Sequence, residues 1–512
     1  METVLSHVAF GDELFEAEAD FVVVGSGAGG ATAAVTLARG GASVVVVEAG
    51  AWRDPPDYPS SVFGAMRDLM EDWGAQLTRG RALWPVVQAR TVGGTTVINS
   101  AICVRTPRDI FAQWQQQHGI GGLEARVYAA QDRLERELSV EEAPDASRGW
   151  SNVFAKKGAD SLGWSDSHYM QRYVKHCEGS GRCLQGCRGQ RKQSLNLTYL
   201  PEVLQRGGTV VSCAPVRRVV FEGTRARAVM GRFVHPVTHR EGGTFTLRAR
   251  RAVVVAASAT HSPVLLMRSG LKLPALGRFF RAHPGTGIFG VYEQPVDMNI
   301  GATQGWASVA FRESPGLKLE TLAIPPELVA GRLAGGGKVL MERLAEYRHL
   351  AMWCHAVRAE SVGTVAPSLF SDRPVVRYEL NRADMERFRV GMTLVAQQHF
   401  AAGARKIIPG VAGLPYALDA DQIGLIEDGP LDPRAYIAIL THLFGGCVMG
   451  ADPKTSVTDG RGRVHGVEGL VVADASVIPT NLGVNPQHTI MGLAQVFAEE
   501  LLAAKVSAHE FG

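Results

Sequence analysis

The chain has 512 residues, with 53 Lys or Arg against 50 Asp or Glu, a net charge of +3, and 46% hydrophobic, 20% charged and 7% aromatic residues. That composition is globular and excludes a disordered chain, and with no basic run to concentrate the small surplus it argues against a nucleic-acid partner. At about 150 residues per domain the length sets a ceiling of three or so domains, or one large fold with interleaved parts. Glycine is the outlier at 58 residues, about 11% against a usual share of about 7%. Many backbone positions therefore call for positive φ or a close approach, and a large cofactor is one reason for both.

No apolar run reaches the roughly 18 residues needed to cross a bilayer. The start, METVLSHVAFGDELFEAEAD, has neither a basic n-region nor an apolar h-region, so a cytoplasmic protein without a transmembrane segment is expected. Seven cysteines in a chain of this size do not read as a disulfide framework. Cys177, Cys183 and Cys187 cluster within eleven residues, while Cys103, Cys213, Cys354 and Cys447 stand apart.

In chain order, EADFVVVGSGAGGATAAVTLARGGASVVVVEAG reads as a buried strand, a glycine turn, an Ala-rich helix and a second strand ending in an acid, a βαβ unit. Gly25, Gly27 and Gly30 give GxGxxG, in which the first two allow a tight turn and close approach of a pyrophosphate and the third lets helix pack on strand. Glu48 follows 23 residues after Gly25, where an acid takes ribose hydroxyls. The bland alternative is a glycine-rich turn whose acid faces water. The regular alternation then stops, which argues against a plain nicotinamide dehydrogenase.

Residues 88–107 read as a polar Gly/Thr/Asn loop, and RRAVVVAASATHSPVLLMRSG as a second buried strand leading into a helix, with Pro263 near its first turn. Residues from about 283 to 440 mix strand-like PVVRYEL with helical ADMERFRVGMTLVAQQHFAAGA and read as a separate lobe. A last helix is expected to begin at Pro486 with Asn485 as N-cap and an apolar stripe at Ile490, Leu493, Ala494, Phe497 and Leu501. Its N-terminus would present unpaired N–H groups and a positive dipole end. No internal repeat or low-complexity linker appears, so the lobes interleave.

The set VVVGSGAGG, VVVVEAG, VGGTTVIN, VVVAASATHSPVLLMRSG, HLFGGCVMG and VVADASVIPTNLGVNPQHTIM resembles the glucose–methanol–choline (GMC) flavoprotein oxidoreductases over nearly the whole chain. KQSLNLTYL, HLFGGCVMG and GVNP most resemble the branch of cholesterol oxidases and long-chain alcohol oxidases. The resemblance implies an α/β fold. A Rossmann-like FAD-binding domain would be assembled from 16–105, 194–282 and 441–505, with an inserted α+β substrate-binding domain from 106–193 and 283–440.

It also implies roles by position. The βαβ glycines and Glu48 would hold the ADP half of FAD. Gly93, Gly94 and Asn99 would lie along the pyrophosphate and flavin, the backbone of Val216 would meet the adenine, and Asp474 and Ala475 would sit in the turn that meets the pyrophosphate and ribityl chain. Asn485 and Pro486 would open the helix that points at the flavin. His442 matches the family's catalytic histidine and Asn485 its partner. Ser258 departs from the pattern, standing where relatives have Gly.

The implied activity is oxidation of a primary or secondary alcohol, on branch resemblance an apolar one, to aldehyde or ketone. His442 would take the hydroxyl proton as hydride leaves for flavin N5, and Asn485 would hold the oxygen. For His442 the plain alternative is a buried, satisfied histidine; for Asn485 it is helix capping, which competes for the same side-chain oxygen. His488 reads as a first-turn pocket residue, and His355 as structural or pocket-lining. HLAMW, loosely comparable to the stretch that carries an extra acid in steroid oxidases, has no carboxylate, which argues against a sterol.

The run Cys177, Cys183, Cys187 has spacing C-x5-C-x3-C and resembles the three-cysteine run of an iron–sulfur cluster in some sugar dehydrogenases of the superfamily. Unligated loop cysteines are the expectation, with that cluster as alternative and zinc through these cysteines and His176 as a weaker one. The electron acceptor would be oxygen or another acceptor. A hydroxynitrile-type lyase using the same fold and FAD without net redox is the rival function. The identity of the alcohol, oxidase versus dehydrogenase, the oligomeric state and covalent attachment of FAD stay open.

Overall fold

The computed structural model describes residues 13–504 and the backbone of Val4–Leu5. Residues 1–3, 6–12 and 505–512 lie outside it, and with them much of the stretch read for an export signal and residue 505, the expected end of the last FAD-binding segment.

The chain opens with β1 (Phe15–Val24), α1 (Ala28–Arg39) and β2 (Val44–Val47). The expected βαβ unit is present. Phe21–Val24 and Val44–Val47 are buried throughout, because a parallel strand is covered on both faces and so reads as an unbroken apolar run. Two amphipathic helices follow, α2 (Arg108–His118) and α3 (Glu124–Glu137), then the short β3 (Ser167–Tyr169). Next come β4 (Thr209–Val211), β5 (Val216–Glu222), β6 (Arg225–Val234), the long β7 (Glu241–Val255) and α4 (His261–Arg268).

The second half contributes β8 (Arg281–Val291), β9 (Trp306–Ser308), β10 (Leu317–Leu322), β11 (Leu350–Val357) and the helix α5 (Arg382–Ala401). It ends with β12 (Lys406–Ile408), β13 (Ile439–Phe444), β14 (Leu470–Val472) and α6 (Gln487–Ala503).

Two sheets organise these elements. In the first the order is β4-β2-β1-β7-β6-β5, with Val4–Leu5 beyond β4 and β14 paired to β7. β1, β2, β4, β7 and β14 run parallel, whereas β6 and β5 are antiparallel. β2 lies on one side of β1 and β7 on the other, so the strand order reverses at β1, whose carboxyl end is where such sheets bind ligands. The second sheet, β12-β8-β11-β10-β9-β3 with β13 paired to β8, is antiparallel.

α5 covers one face of that second sheet. Trp353 stacks on His399 at 3.8 Å, and His355 meets the edge of Phe388. Gly391 lets the helix come this near, since a Cβ there would lie 2.5 Å from the His355 ring. His355 pairs with Thr286 and Leu319, so its neighbours Lys318, Glu320 and Cys354 project from the opposite face. α2 and α3, sequence-adjacent to the first glycine loop region, pack into the core of the first sheet through Ile110, Trp114, Val127 and Leu134.

Candidate functional site

The glycine loops build one end of the site. Gly25 has φ +96, and a Cβ on it would overlap the carbonyl of Ala256 at the end of β7. A Cβ on Gly30 would overlap the carbonyl of Gly25, so the third glycine of the motif serves helix–strand packing. Gly29, which the motif leaves free, is equally constrained, by the carbonyl of Ala473 after β14. Gly94 faces Gly27, where a Cβ would fall 2.6 Å from the Gly27 Cα. Only bare backbone therefore lines the approach between the loops at 25–27 and 93–94. The N-terminus of α1 has neither a side-chain cap nor an acid in its first turn, and its unpaired N–H groups suit an anion.

Glu48 is 8% exposed. Its Oε2 accepts from the Ser26 amide at 3.0 Å and the Ser26 hydroxyl at 2.7 Å, and Oε1 accepts from Gly50 N–H at 2.8 Å. Burial raises its pKa, opposed by these bonds. Oε1 keeps a lone pair for one more donor. Ala214 N–H donates to the Glu48 carbonyl and Cys213 N–H to that of Gly50, which brings the strand leading to Val216 alongside.

Asp474 is fully engaged within the protein. Its Oδ1 accepts from the amide and hydroxyl of Ser476, and its Oδ2 from Ser258 N–H at 2.9 Å and the Ser262 hydroxyl. Ser258, at the position where relatives have Gly, does adopt a glycine-like φ of +99, an uncommon conformation for a side-chain-bearing residue. Asn99 donates to Gln487 Oε1 at 2.6 Å, tying the 93–99 loop to the first turn of α6, and Ala475 accepts from Gly445 N–H.

The other end centres on His442, on β13. Its Nε2 lies 3.2 Å from Asn485 Nδ2, and its Nδ1 lies 3.2 Å from His283 Nδ1. Burial brings the His442 pKa down to about 4, with Glu320 opposing and Lys318 reinforcing the shift. Lys318 and Glu320, both buried on β10, form an ion pair, and Lys318 Nζ also donates to Asn485 Oδ1. Burial works against the Glu320 charge, but the Lys318 ammonium and then His442 hold its carboxyl below the usual range.

Two expectations are corrected here. α6 begins at Gln487, not Pro486, and Asn485 is not its N-cap: no side chain caps the helix, because the Asn485 oxygen is taken by Lys318. His355 is not in the site but on the far face of its strand against α5, with neither ring nitrogen hydrogen-bonded. His488 is fully buried, bonded through Nδ1 to Tyr173 and through Nε2 to Glu135. Cys103, Glu135 and His488 offer ligand atoms within 4.8 Å of one another. Both His488 nitrogens are occupied, however, and Arg105 grips Glu135, so this is a satisfied polar network.

Sequence reading missed Lys318, Glu320, His283 and Asn481. The first two carried a signal, since charges at i and i+2 of the apolar run LKLETL stand on one face of a buried strand and need a partner there. The lack of an acid in HLAMW does not leave the site without one, because Glu320 comes from the adjacent strand, which removes that argument against a sterol.

In the cysteine loop, Arg172 and Lys192 are the buried groups. Arg172 is wholly buried and directs one guanidinium nitrogen to Cys183 Sγ at 3.3 Å and another to Cys177 Sγ at 3.8 Å. Lys192 donates to the carbonyls of Val97, Asn99 and Cys183, so the loop supports the 93–99 segment. Burial opposes ionisation of Cys183, but Arg172 and Lys192 together bring its pKa below the ordinary value. The guanidinium fork covers both sulfurs on the side where a cluster would sit, and as arranged these residues do not fit an iron–sulfur group. Among the described residues the three sulfurs form no single-ion shell, and His176 is exposed and pairs with Glu141, which also disfavours zinc.

The chain matches the family described as GMC oxidoreductase in its N-terminal part over residues 19–285 and in its C-terminal part over residues 360–494. An uncharacterized GMC-type oxidoreductase of Mycobacterium tuberculosis (strain H37Rv) is 33% identical over 491 residues, covering 95% of this chain and 76% of the relative. A long-chain-alcohol oxidase of Arabidopsis thaliana is 28% identical, covering 96% of this chain and 67% of the relative. Among solved structures, pyridoxine 4-oxidase from Mesorbium loti superposes with a TM-score of 0.69 at 18% identity, covering 95% of this chain and 100% of that one. A formate oxidase variant from Aspergillus oryzae superposes with a TM-score of 0.70 at 16% identity, covering 96% and 99%. FAD is the cofactor of this family, and the bare glycine loops, the acid-free helix start and Glu48 fit it. With both parts of the family matched in order along one chain, the protein belongs to the GMC oxidoreductases.

Proposed function

We propose that the protein oxidises a primary or secondary alcohol, of apolar character, to the aldehyde or ketone, within a three-segment FAD-binding domain and an inserted substrate-binding domain. The observation that carries this reading is the pairing of His442 Nε2 with Asn485 Nδ2 at 3.2 Å just before the N-terminus of α6. FAD, when bound, accepts the hydride. His442, neutral at physiological pH, takes the hydroxyl proton on Nε2, since an alkoxide-like oxygen gives up hydride far more readily than an alcohol does. Asn485 Nδ2 has a second hydrogen for the substrate oxygen and so orients the carbon.

An apolar substrate is supported by the cluster of Ile102, Met170 and Ala307, because Ala307 pairs with Glu320 and shares its face of the sheet. The likeness to a long-chain-alcohol oxidase points the same way, and oxygen is the acceptor in keeping with that relative's name. The cysteine loop takes no part in the electron path of this reading. Anaerobic mixing with alcohols of increasing chain length tests it. Bleaching of the flavin with release of aldehyde or ketone is expected; cleavage of a cyanohydrin without bleaching would instead support the lyase reading.

A further inference from the structure

We propose that Lys318 is a positioning residue that sets the direction of a hydrogen-bond chain and thereby keeps His442 with its Nε2 lone pair free. The inference deepens the reading of His442 as the base and rests on it. Lys318 Nζ donates to Glu320 Oε1 and Asn485 Oδ1, and the three side chains are buried together. An ammonium only donates, so the amide oxygen of Asn485 must face it and the amide nitrogen must face His442. That nitrogen also only donates, so His442 Nε2 must accept, and the hydrogen of the neutral ring sits on Nδ1, directed at His283 Nδ1.

His283 then carries its hydrogen on Nε2, where Asn481 Oδ1 receives it. The orientation of Asn481 is fixed independently, because its Nδ2 donates to the carbonyls of Ala282 at 2.9 Å and Ala359 at 3.2 Å. Gly483 N–H, 3.1 Å from Asn481 Oδ1, uses the second lone pair of that oxygen. Every group in this direction has a partner.

The reverse direction is also within reach, since Gly483 N–H lies 2.9 Å from His283 Nε2. It would put the His283 hydrogen on Nδ1 and the His442 hydrogen on Nε2. Donor would then face donor, either between His442 and Asn485 or, with the amide turned over, between Asn485 and Lys318. The backbone end of the chain tolerates both directions, and the ammonium tolerates only one. Without Lys318, Asn485 is free to turn, and His442 can hold the tautomer that cannot take a proton on Nε2.

The test uses FAD-bound protein labelled with 15N-histidine, with His442→Gln to assign the resonances. In the unmodified protein His442 Nε2 should be unprotonated in the absence of any alcohol. Lys318→Met should move the hydrogen to Nε2 and slow flavin reduction roughly tenfold or more, the lower range for a misplaced base, and Lys318→Arg should restore both. Glu320→Gln, which keeps the packing, should shift the tautomer in the same direction and serves if Lys318→Met does not fold. A protonated Nε2 in the unmodified protein, or an unchanged tautomer in the folded variants, overturns the proposal. Because the tautomer is read without substrate, failure of any alcohol to reduce the flavin would count against the proposed function alone.

Discussion

Arg172 holds Cys183, with a guanidinium nitrogen 3.3 Å from the sulfur, and no carboxylate is paired with this wholly buried cation among the described residues. With Lys192 packed beside it, a fully ionised interior here would be strongly positive, and the Cys183 thiolate is the group that offsets it. Purified anaerobically, the protein should hold iron and acid-labile sulfide well below one equivalent. Cys183→Ser should cost about 1.5–3 kcal/mol of stability, the scale of a hydrogen bond to a charged group. Near-stoichiometric iron and sulfide, lost together in that variant, would show that the loop rearranges around a cluster.

His442→Ala should retain FAD yet slow flavin reduction by roughly two to four orders of magnitude, the usual effect of losing a general base. Since burial holds the pKa near 4, the ring stays neutral well below its ordinary range, and the base is lost only as pH falls through about 4. Stopped-flow reduction by substrate should therefore be flat between pH 8 and pH 5 at the acid limb. Near-normal reduction in His442→Ala would remove the residue from the chemistry.

Glu48→Ala should weaken FAD retention more than it slows turnover in molecules that keep the cofactor, because the ribose is remote from N5. The variant also loses the carboxylate that ties down Ser26 and Gly50, so the loop itself loosens. Dialysis followed by the flavin absorbance per protein reads the effect, and full occupancy would count against this role.

His355 and His399 are buried, and burial takes each pKa down to about 3. The unfolded chain, with ordinary histidines near 6.5, binds more protons than the native one, so stability falls as pH drops from about 6.5 toward 3 and is unaffected above that window. For His355 alone the loss reaches about 2 kcal/mol by pH 5. His355→Leu removes two unpartnered nitrogens as well. Urea melts should show it gaining on the parent protein at pH 5 relative to pH 8, and an equal difference at both would refute the assignment.

The sequence by itself determined the first βαβ unit, because strand, glycine turn, helix and acid are local patterns whose geometry depends on neighbours within about thirty residues. The family motifs named His442 and Asn485 for the same reason, as short runs that survive outside their fold. It did not reveal that Lys318 would claim the Asn485 oxygen, since that bond joins residues 167 apart through sheet register. His355 was misjudged because a strand's two faces are equivalent in sequence, and only the packing of Gly391 and Phe388 against one of them decides which is inside the lobe and which is in the site. Burial, and with it the pKa of every histidine discussed, is likewise a property of the assembled sheets. Tertiary structure therefore decided the direction of the hydrogen-bond chain, because donors and acceptors from five separate segments must be in place before any one of them is constrained.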